Sequence, residues 1–445
     1  MNRRDFVRHT SWAAGALAAG RAARADVRPI AAPRPDALRV DGTRLQGWLA
    51  ELSRFGRNAA GGVDRTAYTD ADRDARQYVR GLMTAAGLDV RLDAAGNIVG
   101  RRAGRDAARP PILFGSHVDS VPAGGNYDGP LGTLAAVEVA RTLADHGVTT
   151  RHPLEVVVWQ NEEGGLVGSR IAAGEFPARE LDRVAVSGKT LHDGIAFLGG
   201  DPAALDTARR RPGDVAAYLE LHIEQGGTLE RAHVDIGVVE GIVGIWQWTV
   251  TVDGAANHAG TTPMDQRQDA LLSAARFVEM ANRVVRAEPG RQVGTVGQIR
   301  AEPGAPNVIP GRVVMSLELR DLDAAKIARL YARIGDEARA IGREGGTRFS
   351  FAPITEHAPA PTDPRMRAII ADAARGLGLT TRVLPSGAGH DAQEMARLAP
   401  TGMIFVPSVG GVSHAPREFT RPQDCVNGAN VLLQSVLAVD GRTFG

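Results

Sequence analysis

Cysteine is almost absent from this 445-residue sequence, and its scarcity restricts both the covalent chemistry and the metal chemistry of the protein. The one cysteine, Cys425, has no second cysteine in the chain with which it could form a disulfide. A zinc site built from several cysteines is excluded for the same reason. Any metal that the protein binds must therefore be held by histidine, aspartate and glutamate side chains.

An excess of charge of either sign is also missing, because 52 Lys+Arg stand against 51 Asp+Glu and give a net charge of +1. Arginine supplies nearly all of the positive charge, and the only lysines are Lys189 and Lys326. The sequence shows neither a basic stripe nor an aromatic platform, so we expect no nucleic-acid partner. The balanced charge also provides no field that would hold the protein on an anionic membrane.

Internal repeats and membrane-length apolar runs are absent as well, since the longest early apolar run is far shorter than the ~20 residues that span a bilayer. Hydrophobic residues make up 43% of the chain and charged residues 23%, which is typical of globular proteins. At roughly 150 residues per domain, the length indicates two or three domains.

The first 25 residues have the layout of an export signal. Arg3 and Arg4 precede an apolar stretch from Ser11 to Gly20, and the small-residue pattern A-R-A ends at Ala25. The arginine pair resembles a twin-arginine signal, although arginine is common enough here for the pair to arise by chance. We expect export to the periplasm or beyond, with cleavage after Ala25 and no membrane attachment afterwards.

The rest of the chain predicts an α/β fold in which apolar strands alternate with helices, as in a catalytic domain with a mostly parallel sheet. Between residues 244 and 355 the predicted order changes to strand–helix–strand–strand–helix–strand, the split βαβ or ferredoxin-like arrangement. This region includes a single predicted strand over 293–300. We therefore predict a catalytic domain in two parts, 26–243 and 356–445, interrupted by an inserted α+β domain over 244–355.

Polar side chains that could bind a metal follow the apolar strands, where functional residues of parallel sheets gather. His117 and Asp119 follow one strand in G-S-H-V-D, and Glu162 and Glu163 follow the strand V-V-V-W. Adjacent carboxylates at a buried strand end are costly without a cation. Asp128 lies in the glycine-rich segment G-G-N-Y-D-G before an apolar helix, where it could equally cap that helix.

Two further histidines, His222 in E-L-H-I-E-Q-G and His414 in V-S-H-A-P-R-E, lie in similar positions. Each of these residues alone is explained as readily by a turn, a cap or a core histidine. Together, three histidines and several carboxylates at the ends of apolar segments indicate a divalent metal site.

Seven motifs in this order resemble the dinuclear metallohydrolases of the aminoacylase and carboxypeptidase type, and within them the hydantoinase/carbamoylase branch. The motifs are G-S-H-V-D-S-V-P-A-G-G-N-Y-D-G, N-E-E-G, E-L-H-I-E-Q-G, N-H-A-G-T-T-P-M, P-N-V-I-P-G, S-G-A-G-H-D-A and S-H-A-P-R-E. The resemblance covers nearly all of the chain past about residue 44. It departs at Leu166-Val167, where many relatives have Arg-Phe, and this difference leaves the substrate open.

The resemblance implies two divalent ions, with zinc as the first expectation and manganese, cobalt or nickel as alternatives. It implies metal ligands at His117, Asp128, Glu163, His222 and His414, with Asp128 shared between the ions. It also implies catalytic roles for three residues: Glu162 as general base, Asp119 as the carboxylate that orients His117, and His258 as an oxyanion donor.

The resemblance further implies a substrate site at Gln225, His258, Asn307, Arg320 and Gly389. Arg320 would grip the substrate carboxylate, although its position alone also fits a salt bridge to Asp321 or Asp323. The inserted domain would serve dimerisation and closure, so a homodimer is expected. His390 receives no firm role.

The expected activity is hydrolysis of a carbamoyl or ureido C–N bond in an amino-acid-like substrate, with release of ammonia and carbon dioxide. An allantoate amidohydrolase or β-ureidopropionase would share these motifs. An aminoacylase or peptidase with the same metal site, and a binding protein without catalysis, are the remaining alternatives.

Overall fold

The computed structural model describes residues 37–442, so the predicted export signal over residues 1–25 lies outside the described residues. The α-helices of this part of the chain are α1 (Gly42–Leu52), α2 (Asp70–Ala85), α3 (Pro130–Asp145), α4 (Val167–Ala173), α5 (Leu191–Phe197), α6 (Thr228–Ala232), α7 (Ala270–Ala287), α8 (Ala324–Gly345), α9 (Pro364–Gly376), α10 (Asp391–Met395) and α11 (Pro422–Asp440). Within residues 37–442, no helix is both long and apolar enough to cross a membrane.

The strands are β1 (Asp89–Leu92), β2 (Ile98–Arg102), β3 (Ile112–His117), β4 (Leu154–Trp159), β5 (Ala217–Ile223), β6 (Ile236–Ile242), β7 (Gly244–Asp253), β8 (Asn257–His258), β9 (Val293–Thr295), β10 (Ile299–Glu302), β11 (Val308–Ile309), β12 (Arg312–Asp321), β13 (Arg348–His357), β14 (Ala360–Pro361), β15 (Thr381–Ser386) and β16 (Thr401–Val406).

The larger sheet has the strand order β1-β2-β4-β3-β5-β16-β6-β14, with β15 paired to β6. Its four central strands, β4, β3, β5 and β16, run parallel and are buried along their whole length. Such strands are continuous apolar runs because helices cover both faces of the sheet. The predicted α/β fold class is confirmed.

Helix α3 lies against this sheet and positions the loop that precedes it. Pro130 occupies its first turn, where a missing N–H costs nothing and the fixed φ angle favours the helix. The helix is buried around nearly its whole circumference, from Pro130 to Leu143, and packs on β3, β5 and α11. The loop just before it, which carries Asp128, is therefore anchored to a rigid element.

The smaller sheet is antiparallel, in the order β10-β12-β7-β13 with β9 also paired to β12. Strands β7 and β12 alternate buried and partly exposed residues, as expected for a sheet with one covered face. Helices α7 and α8 cover that face, and their apolar residues form a core cluster with the sheet from Trp248 to Ile341. β7 begins at Gly244 and β13 continues to His357, two residues beyond the position 355 at which we placed the end of the insertion.

One strand prediction in this region is wrong. The predicted single strand over 293–300 consists of two strands, β9 and β10, which pair with different stretches of β12. Between them, the backbone N–H groups of Gly297 and Gln298 donate to the hydroxyl of Ser316 on β12 instead of continuing the ladder. The side-chain acceptor thus replaces the backbone acceptors at the break.

Candidate metal centre

The central strands deliver the predicted site residues to one edge of the large sheet. His117 ends β3, Glu162 and Glu163 follow the end of β4, and His222 is the penultimate residue of β5. The register pairs His117 with Trp159 of β4, and Phe405 of β16 with His222. Because the carboxyl ends of neighbouring parallel strands meet at one edge, these side chains converge.

A first cluster consists of His117, Asp128 and His222, whose candidate ligand atoms all lie within 4.8 Å of one another. Oδ1 of Asp128 lies 3.6 Å from Nε2 of His117 and 3.2 Å from Nε2 of His222. All three residues are buried, and Nε2 of His117 has no hydrogen-bond partner. A buried, unpaired imidazole nitrogen facing a carboxylate and a second imidazole fits a bound cation.

A second cluster consists of Asp128, Glu163 and His414, again with ligand atoms within 4.8 Å. Nε2 of His414 lies 3.3 Å from Oδ2 of Asp128 and 3.5 Å from Oε2 of Glu163. Asp128 thus presents one oxygen to each cluster, so its carboxylate could be shared between two divalent ions.

The two buried imidazoles are held by backbone carbonyls. Nδ1 of His117 lies 3.1 Å from the carbonyl oxygen of Asp119, and Nδ1 of His222 lies 3.0 Å from that of Ile223. Donation from Nδ1–H leaves each Nε2 as the acceptor nitrogen that faces the clusters, and Nε2 of His222 also accepts from the backbone N–H of Gly129 at 3.2 Å. Gly129, with φ of 78°, lies against the His117 ring, and a Cβ there would come within 3.0 Å of the ring atoms.

The carboxylate of Asp119 makes contacts that differ from the expected ones. Its Oδ1 lies 3.7 Å from Nδ1 of His117, whereas the residue's own carbonyl oxygen is nearer to that nitrogen. The carboxylate oxygens instead accept hydrogen bonds from the backbone N–H of Glu162 (3.3 Å) and of Glu163 (3.2 Å). Asp119 therefore fixes the turn that carries the two glutamates.

The charges of the site act strongly on one another because the groups are buried. Burial and neighbouring carboxylates raise the pKa of Glu162 well above its ordinary value, and they raise the pKa of Glu163 to about 7. Burial alone would also raise the pKa of Asp128, but His222 and the other two imidazoles hold it well below its usual range. The hydrogen bond to Asp128 raises the pKa of His414 to about 9.

The predicted substrate residues fall into two groups in the structure. Nε2 of Gln225 donates to Oδ2 of Asp128 at 2.6 Å, so Gln225 lies at the clusters. Arg320 donates from Nε to Glu318 (2.7 Å) and from Nη1 to the carbonyl oxygen of Gly387 (2.6 Å), which places it at the loop that contains Gly389. The alternative salt bridge of Arg320 to Asp321 or Asp323 is not formed in the described structure.

His258 and Asn307 lie together elsewhere, on the short ladder formed by β8 and β11. His258 pairs with Val308, and the N–H of Ala259 donates to the carbonyl oxygen of Asn307 at 3.0 Å. Both residues are exposed, and neither belongs to the clusters formed by the described residues. Nδ1 of His258 accepts from the N–H groups of Gly260 and Thr261, so the ring proton sits on Nε2.

Three buried residues near the clusters had no role in the sequence interpretation. His390 packs edge-on against the His222 ring, with centroids 4.5 Å apart, and its Nε2 lies 2.8 Å from the Ser386 hydroxyl. Glu220 is fully buried and forms a further histidine–carboxylate cluster with His222 and His390. Glu418 is also buried beside the clusters. All three stand in motifs quoted above, Glu220 in E-L-H-I-E-Q-G, His390 in S-G-A-G-H-D-A and Glu418 in S-H-A-P-R-E, so the motifs themselves were the available signal.

Two cavities flank the second cluster. A cavity of about 860 Å³ is lined by Gln225, Gly387 and His414 among others. A smaller one of about 210 Å³ includes Asp119 and Glu163 in its wall. Both cavities thus border ligand residues of the second cluster, His414 in the larger and Glu163 in the smaller.

Comparison with known proteins settles the family. Residues 113–438 match the sequence family described as peptidase family M20/M25/M40. The chain belongs to this family. Members of it depend on a pair of metal ions, and the two overlapping clusters supply residues for such a pair.

Relatives within this family support the predicted branch. The chain is 42% identical over 402 residues to the N-carbamoyl-L-amino acid amidohydrolase of Geobacillus stearothermophilus, covering 89% of this chain and 98% of that one. It is 35% identical over 393 residues to the allantoate amidohydrolase of Bacillus subtilis, covering 86% and 94%. A crystal structure of a hydantoinase/carbamoylase family amidase from Burkholderia multivorans matches with a TM-score of 0.84 and 39% identity, covering 92% of this chain and 100% of the other. The resemblance to the hydantoinase/carbamoylase branch is confirmed, and the chain is a hydrolase of C–N bonds.

Proposed function

We propose that this protein hydrolyses the carbamoyl or ureido C–N bond of an amino-acid-like substrate, with an N-carbamoyl-L-amino acid as the first candidate. The observation that carries the proposal is the pair of clusters that share Asp128, with the buried Glu162 carboxylate 3.7 Å from Nε2 of His117. This arrangement suits the activation of a water molecule beside a proton acceptor.

In this proposal, His117, Asp128 and His222 would hold one divalent ion, and Asp128, Glu163 and His414 would hold the other. The donor set of imidazoles and carboxylates fits zinc, with manganese, cobalt and nickel as alternatives. When bound, the ions would lower the pKa of a water molecule and polarise the substrate carbonyl.

Glu162 moves the proton. Burial raises its pKa, so it takes up a proton more readily than an exposed glutamate does. It accepts a proton from the attacking water as the new C–O bond forms at the carbamoyl carbon. It then gives that proton to the leaving nitrogen as the C–N bond breaks. The free amino acid leaves, and the carbamic acid that remains decomposes to ammonia and carbon dioxide.

Residues of the inserted domain and of loops near the clusters would bind and orient the substrate. Arg320 would grip the substrate carboxylate with two parallel hydrogen bonds, with the backbone at Gly389, Asn307 and Gln225 adding polar contacts. His258 would donate its Nε2–H to the developing oxyanion. Because His258 is exposed and outside the clusters, we propose that it arrives on closure of the inserted domain (residues 244–355) or from a second copy of the chain.

A homodimer is part of this proposal, and light scattering on the purified chain tests it. Mixing Glu162→Gln chains with His258→Ala chains tests the source of His258. Recovered activity in the mixture would show that His258 acts across the dimer, and its absence would place His258 in the same chain.

Ammonia release from a panel of substrates tests the activity. The panel contains N-carbamoyl-L-amino acids, their D-forms, allantoate, 3-ureidopropionate and N-acetyl amino acids, with Glu162→Gln as the inactive control. We expect turnover of one ureido class that is lost in the control. Cleavage of acyl or peptide bonds without any ureido turnover would move the protein to the aminoacylase alternative. The 210 Å³ cavity beside Glu163 is the observation that favours this second candidate, since an acyl chain needs room that a carbamoyl amine does not.

We further propose that the protein is exported by a twin-arginine signal. The basic start, apolar stretch and A-R-A pattern of residues 1–25 support this proposal. Replacement of both Arg3 and Arg4 by Lys should retain the protein in the cytoplasm, whereas the unchanged chain should appear in the periplasmic fraction with residue 26 at its N-terminus. Equal distribution of the two forms would contradict this assignment.

A further inference from the structure

Glu418 connects the two loops that carry the ligands of the second cluster. Its Oε1 accepts hydrogen bonds from the backbone N–H of Tyr127 (2.8 Å) and of Asp128 (3.0 Å). Its Oε2 accepts from the hydroxyl of Ser413 (2.8 Å) and from the N–H of His414 (3.3 Å). A single carboxylate therefore bridges two segments that are almost 290 residues apart in the sequence.

The bridge matters because the two clusters are supported differently. His117 and His222 of the first cluster lie on buried strands, whose ladders fix their backbone. His414 of the second cluster, in contrast, lies outside regular strands and helices, and so does Asp128, which both clusters share. Ligands on loops keep their geometry only where additional contacts hold them. Glu418 supplies such contacts, because its carboxylate accepts hydrogen bonds from the backbone N–H groups of both Asp128 and His414.

His414 gives a second indication that its loop is under constraint. Its φ is 53°, in the left-handed region that non-glycine residues seldom adopt. Such a backbone persists where surrounding contacts determine it. The hydrogen bond from its N–H to Glu418 is one such contact.

The space that Glu418 occupies exists because residue 125 is a glycine. A Cβ at Gly125 would lie less than 3.0 Å from Cβ, Cδ and Oε1 of Glu418. Glu418 is 4% exposed, and burying a carboxylate is costly unless hydrogen bonds compensate. Gly125 belongs to the motif G-G-N-Y-D-G and Glu418 to S-H-A-P-R-E, so the two motifs fit together sterically as well as by hydrogen bonds.

We propose that Glu418 is a positioning residue that assembles the second metal position, by holding Asp128 and His414 at the correct separation, and that Gly125 is required to admit it. This inference rests on the two-ion site of the proposed function. It predicts that loss of Glu418 weakens the ion of the second cluster more than the ion of the first. Asp128 is shared by both clusters, but the first also has two histidines on buried strands, and these stay in place.

Metal titration without substrate tests the inference. The unchanged chain, Glu418→Gln, Gly125→Ala and Glu155→Gln would be stripped of metal and titrated calorimetrically with Zn²⁺ and with Mn²⁺, and the bound metal counted by mass spectrometry. Glutamine at 418 cannot accept from both loops, since its NH₂ group replaces one acceptor oxygen. Glu155, near the start of β4, has the same 4% exposure and binds Arg101 and Arg210, so it controls for loss of a buried carboxylate.

We expect two ions per chain in the unchanged protein and in Glu155→Gln. In both Glu418→Gln and Gly125→Ala, the ion of the second cluster should bind about 10- to 100-fold more weakly, the range found for partners of metal ligands. The ion held by His117 and His222 should lose less affinity, because only its shared ligand Asp128 is affected. If Glu418→Gln shows no cooperative unfolding transition, and so is not folded, the same metal titration of Gly125→Ala and of the milder Ser413→Ala tests the inference.

Unchanged affinities for both ions in these variants would overturn the inference, and so would an unchanged chain that binds fewer than two ions. Since no substrate is present, a chain that binds two ions but releases no ammonia from ureido compounds would contradict the proposed activity while leaving the role of Glu418 intact.

Discussion

Replacing Asp119 by Asn separates two roles that this buried carboxylate could have. If it orients His117, the ion held by His117 should be weakened. If it acts through its observed contacts, the turn at Glu162 and Glu163 should be disturbed instead, because both backbone N–H groups of that turn donate to the Asp119 carboxylate. Asparagine has the same shape but offers a single acceptor oxygen.

The expected decrease in kcat can be worked out from these two hydrogen bonds. In Asp119→Asn, one buried N–H keeps a neutral acceptor and the other faces an NH₂ group. Loss of one bond to a charged acceptor is worth about 1.5–3 kcal/mol. If that loss falls on the placement of Glu162, it corresponds to about a 10- to 150-fold decrease in kcat at roughly 1.4 kcal/mol per tenfold.

Steady-state ammonia release, combined with metal titration, measures this effect. We expect kcat to fall within that range, the ion at Glu163 to weaken and the ion at His117 to bind as before. Ser120→Ala is the matched control, since Ser120 Oγ also accepts a buried backbone N–H, from Arg65, but does not contact the glutamate turn. Selective loss of the His117 ion, or an unchanged kcat, would refute the reasoning.

Three further predictions test other parts of the site. Glu162→Gln should lower kcat by about 10²- to 10⁴-fold while both ions stay bound, because only the proton carrier is lost; lower metal content would contradict this role. Gly129→Ala should abolish binding of the ion at His117, since its Cβ would overlap the ring, and intact metal binding would refute that. Burial raises the pKa of Asp72 from 3.8 to about 7, so the folded state prefers the protonated carboxyl. The contribution of Asp72 to the free energy of unfolding is therefore fully present below pH 3.8 and is lost as the pH rises to about 7. The Tm of Asp72→Asn relative to the unchanged chain should therefore increase between about pH 4 and about pH 8, and a constant difference would contradict the sign.

The parallel core of the fold was predictable because its strands have an unmistakable pattern. Runs such as V-V-V-W before N-E-E-G are continuous and rich in β-branched residues, which indicates strands buried on both faces. Once such strands are placed side by side, the residues that follow them must meet at one edge. Convergence of His117, Glu163 and His222 follows from that geometry alone.

Other features of the site depend on distances between side chains, which the pattern of residues in the sequence does not specify. The sequence places Asp119 two residues from His117, but it does not tell whether the carboxylate or the carbonyl oxygen is nearer to Nδ1. Likewise, Arg320 has acidic neighbours at 321 and 323, yet it binds Glu318, which lies on the same face of β12 as residue i−2. The bridge by Glu418 joins segments far apart in the chain, so only the tertiary structure reveals it.

Ammonia release from N-carbamoyl-L-amino acids by the metal-loaded chain, compared with Glu162→Gln at equal metal content, tests the central claim most directly. The account predicts catalytic ammonia release by the unchanged chain, its loss on metal removal, and its absence in the variant despite two bound ions. A chain that holds two ions per molecule and releases no ammonia from any ureido compound would contradict it.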